Sequence, residues 1–319
     1  MQNPAGHAVG GQDQRAWTGG RGPPGTGADG GAGARQDLAG GGGSHSGGGH
    51  RGRRPAGADR RRADAGHAHA APRSAAARRP LPAVDGPADR PLVILDPGHG
   101  GHDPGAVAQG GAAREKDLTL ALARTVRARI LAGGRARVAL TRDTDRYLSL
   151  RERIEIGRAL GARLFVSLHA DAAPAGDAAH GATIYTLSET ASDAEAAALA
   201  RSENRADIVR GIDLGAARDD VASILIDLAQ RETRADALAF ARLLHREAEA
   251  SVPFRPDHLR TASLMVLKAP DMPSVLLEAG YITNATDLAF IGAPDGQRRI
   301  ADAIARAIDA HFARKAARR

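Results

Sequence analysis

Cysteine is absent from all 319 residues. Disulfide frameworks and thiolate metal sites are therefore excluded, and any bound metal must rely on imidazole and carboxylate. No apolar run approaches the length needed to span a bilayer, and no apolar stretch of the kind found in a secretory leader is visible. Gly98-His-Gly-Gly101 lacks the G-x-G-x-x-G spacing and its downstream acid, and no P-loop occurs. Ser167 and Ser274 lack the G-x-S-x-G setting of a nucleophile elbow.

What is present divides near position 90. Residues 1–90 hold 22 of the 39 glycines and 13 arginines against 7 aspartates, whereas residues 91–319 hold 31 basic against 30 acidic residues. The basic balance thus belongs to the arm and gives no reason to assign nucleic-acid binding to the rest. Stretches such as Gly40–Gly43, Gly47–Gly49 and Arg60–Arg62 cannot bury enough surface to fold, so residues 1–90 are expected to be a disordered Gly/Arg/Ala/Pro-rich arm. A basic arm drawn to an anionic polymer or membrane, and a misassigned start in a high-GC gene, are the other readings.

Residues 91–319 suffice for one α/β domain. Short apolar runs predict strands at Pro91–Leu95, Arg137–Thr141, Leu164–Leu168, Ala182–Leu187, Leu264–Lys268 and Ser274–Leu277. Helical periodicity runs from Asp117 to Leu131 and is stopped by Gly133-Gly134. Ser149-Leu-Arg-Glu152 is a capping box opening a helix to about Leu160, and Ser192-x-x-Glu195 offers a second. Helices are further expected over Ala194–Arg205, from Asp219 to about Ala250, and over Asp295–Arg314. The alternation implies a mixed, mostly parallel sheet of about six strands flanked by helices on both faces, with residues 188–232 as a helical insertion.

Four polar residues stand where strands end or loops turn back: His99, Glu115, His169 and Glu278. Ligands of open α/β sheets lie beyond the carboxyl ends of the strands, where His99 and His169 project if their strands run parallel. Two imidazoles and a carboxylate form the ligand set of a catalytic zinc site, and a further carboxylate serves as proton shuttle. Glu115 could equally be a helix-dipole partner in a first turn. Glu278 closes an apolar strand, where an unpaired carboxylate is costly to bury. Asp171 is a candidate orienter of His169 or a solvated turn residue. His102, His180, His245, His258 and His311 do not continue the strand-end pattern and are assigned to surface or packing roles.

At these residues the chain resembles the zinc-dependent N-acetylmuramoyl-L-alanine amidases of the type-3 family. The resemblance runs from about Pro91 to Phe312 through Leu95-Asp-Pro-Gly-His-Gly-Gly101, Asp103-Pro-Gly-Ala106, Arg114-Glu-Lys116, Leu140-Thr-Arg142, Ser167-Leu-His-Ala-Asp171 and Val275-Leu-Leu-Glu-Ala-Gly-Tyr-Ile-Thr-Asn284. It implies one zinc ion held by His99, Glu115 and His169, with Glu278 as catalytic carboxylate. The implied substrate is the amide joining the lactyl group of N-acetylmuramic acid to L-alanine in peptidoglycan. Ala198-Leu-Ala-Arg-Ser-Glu-Asn-Arg-Ala-Asp207 resembles the autoinhibitory helix of cell-division members. By that resemblance Glu203 occupies the open zinc position until a LytM-type activator displaces the helix, and the location is periplasmic or in the cell envelope. A zinc peptidase and a non-catalytic wall-binding protein are the competing readings.

Overall fold

The computed structural model describes residues 80–173, 179–208 and 220–317, with residues 206–208 and 220–229 described by backbone alone. The glycine-rich stretches of the arm lie outside this description, as do the side chains of Val221, Leu225 and Leu228 of the periodic helix. The chain is paired to the sheet ahead of residue 91, because the backbone amides and carbonyls of Asp85 and Val138 exchange two hydrogen bonds of 2.9 Å.

Strands are β1 (Leu92–Pro97), β2 (Arg137–Leu140), β3 (Leu164–His169), β4 (Ala182–Leu187), β5 (Phe254–Ala262) and β6 (Ser274–Glu278). Helices are α1 (Glu115–Gly133), α2 (Leu150–Ala159), α3 (Ala194–Ile208), α4 (Asp220–Ala248), α5 (Ala285–Gly292) and α6 (Pro294–Ala316). The strands form one sheet in the order β2-β1-β3-β6-β4-β5. β2, β1, β3 and β6 are mutually parallel, and β4 runs antiparallel to β6 while pairing in parallel with β5. The expected mixed, mostly parallel sheet with helices on both faces is what the chain forms.

Both sheet faces are buried, which is why the strands read as continuous apolar runs. Side chains still alternate along each strand. Val93 and Leu95 of β1 join a core with Val126 of α1, Phe240 and Leu244 of α4, and Ile304 and Ile308 of α6. Leu92 and Ile94 face the other way, toward Leu150 of α2, Leu199 of α3 and Met272. Among the described residues no helix is long and apolar enough to cross a membrane.

The first capping box is formed: Ser149 accepts from the amide of Glu152, whose carboxylate accepts from the amide of Ser149. The second is not. Asp193 Oδ1 caps α3 by accepting from the amide of Ala196, and the Ser192 hydroxyl donates to Asp193 instead. Asp193 stands immediately before the helix, so its carboxylate reaches the orphan amide directly.

The strand expected at Leu264–Lys268 is a correction. Met265–Leu267 is a single 3-10 turn, and the strand lies earlier, at Phe254–Ala262. β5 is an edge strand, so its polar residues and Pro256 are tolerated where a central strand would exclude them. Leu264, Val266 and Leu267 are buried in the α2–α3 core without joining the ladder. α5, also unanticipated, begins where the Asn284 side chain caps the amides of Thr286 and Asp287.

Candidate active site

β1 and β3 pair in parallel, so the residues that follow them emerge at one edge of the sheet. His169 ends β3 and stands opposite Glu278, which ends β6. His99 lies two residues past β1, and Glu115 opens α1. The topology therefore brings all four strand-end and turn residues to the same place.

Glu115 is the hub. Its Oε1 lies 3.0 Å from His169 Nδ1 and its Oε2 3.1 Å from His99 Nε2. The same oxygens accept hydrogen bonds of 2.9 Å from the amides of Ala170 and Ala106, which fix the carboxylate between the two rings. His99 Nδ1 is 2.9 Å from Asp103 Oδ2, leaving Nε2 to point into the site. That Nε2 is buried without a hydrogen bond of acceptable geometry, as is Glu278 Oε1. The other Glu278 oxygen accepts from the amide of Asp171 at 3.1 Å. The Asp171 carboxylate accepts from the amide of Ala172.

Two glycines make room for the rings. A Cβ on Gly98 would sit 2.4 Å from Cε1 of His169, and one on Gly105, at φ +65°, would sit 2.5 Å from Glu115 Oε2. His99 itself is in the left-handed region at φ 60°, alone among the described non-glycine residues. That conformation costs roughly 1–2 kcal/mol and needs surrounding contacts to hold it.

Glu203 reaches the cluster from α3. Its Oε2 is 3.4 Å from His169 Nδ1 and 3.7 Å from His99 Nε2. One donor atom each from His99, His169 and Glu203 lies within 4.8 Å of the others, so these three could also hold a metal ion. Glu115 keeps a free lone pair on each oxygen beside its amide bonds and remains available as a ligand. The neighbouring Asn204 is clamped, its amide donating to the carbonyl of Ser263 and accepting from the amide of Met265. At the other end of α3, Glu195 accepts from Arg255 and Tyr281 and forms an ion pair with Arg260.

Electrostatics follow from crowding. Burial opposes protonation of His99, but Glu115, Glu203 and Asp103 outweigh it and raise its pKa well above the usual 6.5. His169 is pushed up to about 9 because Glu203 and Glu115 overcome its burial. Glu115 is held well below the usual carboxylate range, since the two imidazoles overcome its burial. Burial lifts Glu278 well above that range, and Glu115, Asp171 and Glu203 add to the effect. Burial, then Glu115 and Glu203, raises Asp171 to about 7. Buried carboxylates outnumber imidazoles, and a bound cation would take over the charge balance that protons on the imidazoles and on Glu278 otherwise supply.

The remaining histidines among the described residues lie elsewhere. His102 packs on Tyr147, His245 stacks on His258 at 3.5 Å, and His311 sits between Phe240 and Phe312. His180 is exposed. Sequence reasoning missed two buried arginines, Arg142 and Arg153, which grip the His99 turn, and the Glu195 contacts. No local signal marked the two arginines, because Arg142 is followed by Asp143, Asp145 and Arg146 and Arg153 lies among Arg151, Glu152 and Glu155.

An open α/β sheet with imidazoles and carboxylates converging at the carboxyl ends of its strands defines a hydrolase-like site able to hold a metal ion. The sequence profile of the N-acetylmuramoyl-L-alanine amidases matches residues 93–310. The chain belongs to this family, whose members hydrolyse an amide bond of peptidoglycan. It is 39% identical to the amidase AmiA of Salmonella typhimurium over 225 residues, covering 69% of this chain and 76% of that protein. It is 36% identical to AmiC of Escherichia coli over 227 residues, 70% of this chain but only 54% of AmiC. The catalytic domain of the amidase CwlV from Paenibacillus polymyxa superposes with a TM-score of 0.52 at 26% identity, over 70% of this chain and 98% of that domain.

Proposed function

We propose that this chain hydrolyses the amide between the lactyl group of N-acetylmuramic acid and L-alanine of the stem peptide, with zinc as its cofactor. The observation that carries the reading is the convergence of His99, Glu115 and His169, with His99 Nε2 buried beside Glu115 without a well-formed hydrogen bond and Glu278, opposite His169, holding a buried Oε1 that also lacks one. Two nitrogens and a carboxylate oxygen suit zinc, and no thiolate competes. His99 Nε2, His169 Nδ1 and Glu115 would hold the ion. When bound, it supplies Lewis-acid polarisation of the lactyl carbonyl and lowers the pKa of a coordinated water.

The protein residues divide the rest of the reaction. Asp103 holds the His99 ring by Nδ1 and so keeps Nε2 directed at the cluster. Glu278 takes a proton from the attacking water on its free oxygen as the new C–O bond forms. It returns that proton to the L-alanine nitrogen as the C–N bond breaks. The products are the muramic acid carboxyl and a peptide with a new L-alanine amino terminus.

Glu203 supports a second element of the proposal. Its carboxylate stands where substrate or water would meet the two imidazoles, and α3 lies within residues 188–232, the proposed regulatory insertion. In this reading the enzyme is autoinhibited, a LytM-type activator withdraws α3, and the activity serves daughter-cell separation in the envelope or periplasm.

The test is metal analysis followed by release of peptide from purified peptidoglycan by wild type and Glu278→Ala. Expected are one zinc per chain in both proteins, new L-alanine termini from wild type, and a loss of at least about a hundredfold in the variant. Equal release by both would remove Glu278 from the mechanism.

A further inference from the structure

We infer that Arg142 and Arg153 are positioning residues that yoke two of the metal ligands, His99 and Glu115, through backbone carbonyls. The inference rests on the metal-site reading given above. Both side chains are buried, and while Arg153 Nη1 donates to the Asp96 carboxylate at 2.8 Å, Arg142 is held by neutral oxygens. The surplus positive charge is met by carbonyl oxygens of the ligand-bearing turn.

Arg142 Nε donates to Pro97 O at 3.0 Å and Nη2 to Gly98 O at 2.8 Å. Arg153 Nη1 donates to Pro97 O at 2.7 Å and Nη2 to His99 O at 2.8 Å. Three consecutive carbonyls therefore turn away from the site and into two guanidinium groups. This grip acts on the residue with the left-handed backbone, His99, and accounts for how that conformation persists.

Arg142 also reaches the second ligand. Its Nη2 donates to Lys116 O at 2.8 Å, one residue past Glu115, as well as to Gly98 O, one residue before His99. One planar group thus sets the spacing between the two ligand-bearing segments. Thr119 completes the link, its hydroxyl donating to Gly98 O at 3.0 Å. A lysine keeps the charge but offers one compact ammonium, which cannot span several fixed acceptors in a plane.

The test uses the full-length chain with Arg142→Lys and Arg153→Lys, and Arg158→Lys as control. Arg158 lies on α2 with Arg153, and its guanidinium makes an exposed pair with Asp271. Zinc affinity is measured by competition with a chelator, and cobalt is substituted to read ligand geometry from its visible absorption band. The two buried variants should bind zinc about 10–100-fold more weakly, with a shifted cobalt band and unchanged far-ultraviolet circular dichroism. The control should match wild type. Wild-type zinc affinity and an unshifted band in both buried variants would overturn the inference while leaving the metal reading standing. Failure of wild type itself to bind zinc would overturn the metal reading and this inference with it. If a lysine variant does not fold, Thr119→Val removes one link and leaves both cations; a several-fold loss of zinc affinity supports the yoke, and unchanged affinity rejects it.

Discussion

Glu203 and His169 stand on different layers of the molecule, one on a helix and the other at a strand end, yet Oε2 of the first lies 3.4 Å from Nδ1 of the second. Under the proposed autoinhibition, a carboxylate in that position would compete with substrate for an ion held by the imidazoles. Glu203→Ala should therefore raise partner-free release of peptide from purified peptidoglycan by roughly tenfold, equivalent to about 1.4 kcal/mol of blocking contact. Unchanged basal release would remove the inhibitory role.

Gly98 is a steric requirement. A methyl group there would meet the His169 ring at 2.4–2.8 Å from three of its atoms. Gly98→Ala should displace the imidazole and weaken metal binding by about 10–100-fold. Chelator competition reads this directly, and a variant binding zinc as wild type does would show that the ring has room to yield.

Asp96 carries much of the acid sensitivity beneath the site. Its burial alone would raise its pKa, but Arg153 and the hydrogen bonds from Thr141, Arg153 and Ser167 hold it below the ordinary value of 3.8. The stabilisation is present above the unfolded pKa and is lost as pH falls through the lower folded one. Asp96→Asn leaves Arg153 buried without its counter-ion and should cost about 3–5 kcal/mol at neutral pH. Urea unfolding of both proteins checks the value, and a loss under 1 kcal/mol would show that carbonyls alone satisfy the guanidinium.

His311 acts in a different pH window. Burial, then Lys315, lowers its pKa from 6.5 to about 4. Above 6.5 both folded and unfolded forms are neutral there, and the residue has no pH effect. Below that value the unfolded chain takes up the proton first, so stability declines until pH reaches about 4, by on the order of 3 kcal/mol in all. His311→Phe, between Phe240 and Phe312, should flatten the stability curve across this range. Parallel curves for the two proteins would mean that the imidazole titrates normally.

The parts of the fold legible in the sequence are those where one physical signal dominated. Leu92–Leu95 and Leu164–Leu168 read as buried strands because both faces of the sheet are covered. With those strands parallel, His99, His169 and Glu278 had to share an edge. β5 was illegible because an edge strand pairs on one side only and admits Arg255, Pro256 and Asp257. Periodicity also cannot say which carbonyls a buried arginine will meet, so the roles of Arg142 and Arg153 appear only once the turn and the two helices are assembled. Glu203 was legible through its motif, while its distance from the imidazoles depends on how α3 packs through Ala196, Leu199 and Ala200.

The Glu195 contacts have a mechanical side. Arg255, Arg260 and Tyr281 fasten α3 at its second residue. Glu203 lies eight residues onward, about 12 Å along the axis at roughly 1.5 Å per residue. A rod pinned near one end travels furthest at the other, so a tilt of about 20° at the pin carries the Glu203 position through about 4 Å. In the proposed release α3 would turn as a lever about Glu195, and the Asn204 hydrogen bonds to Ser263 and Met265 are the catch it would have to break.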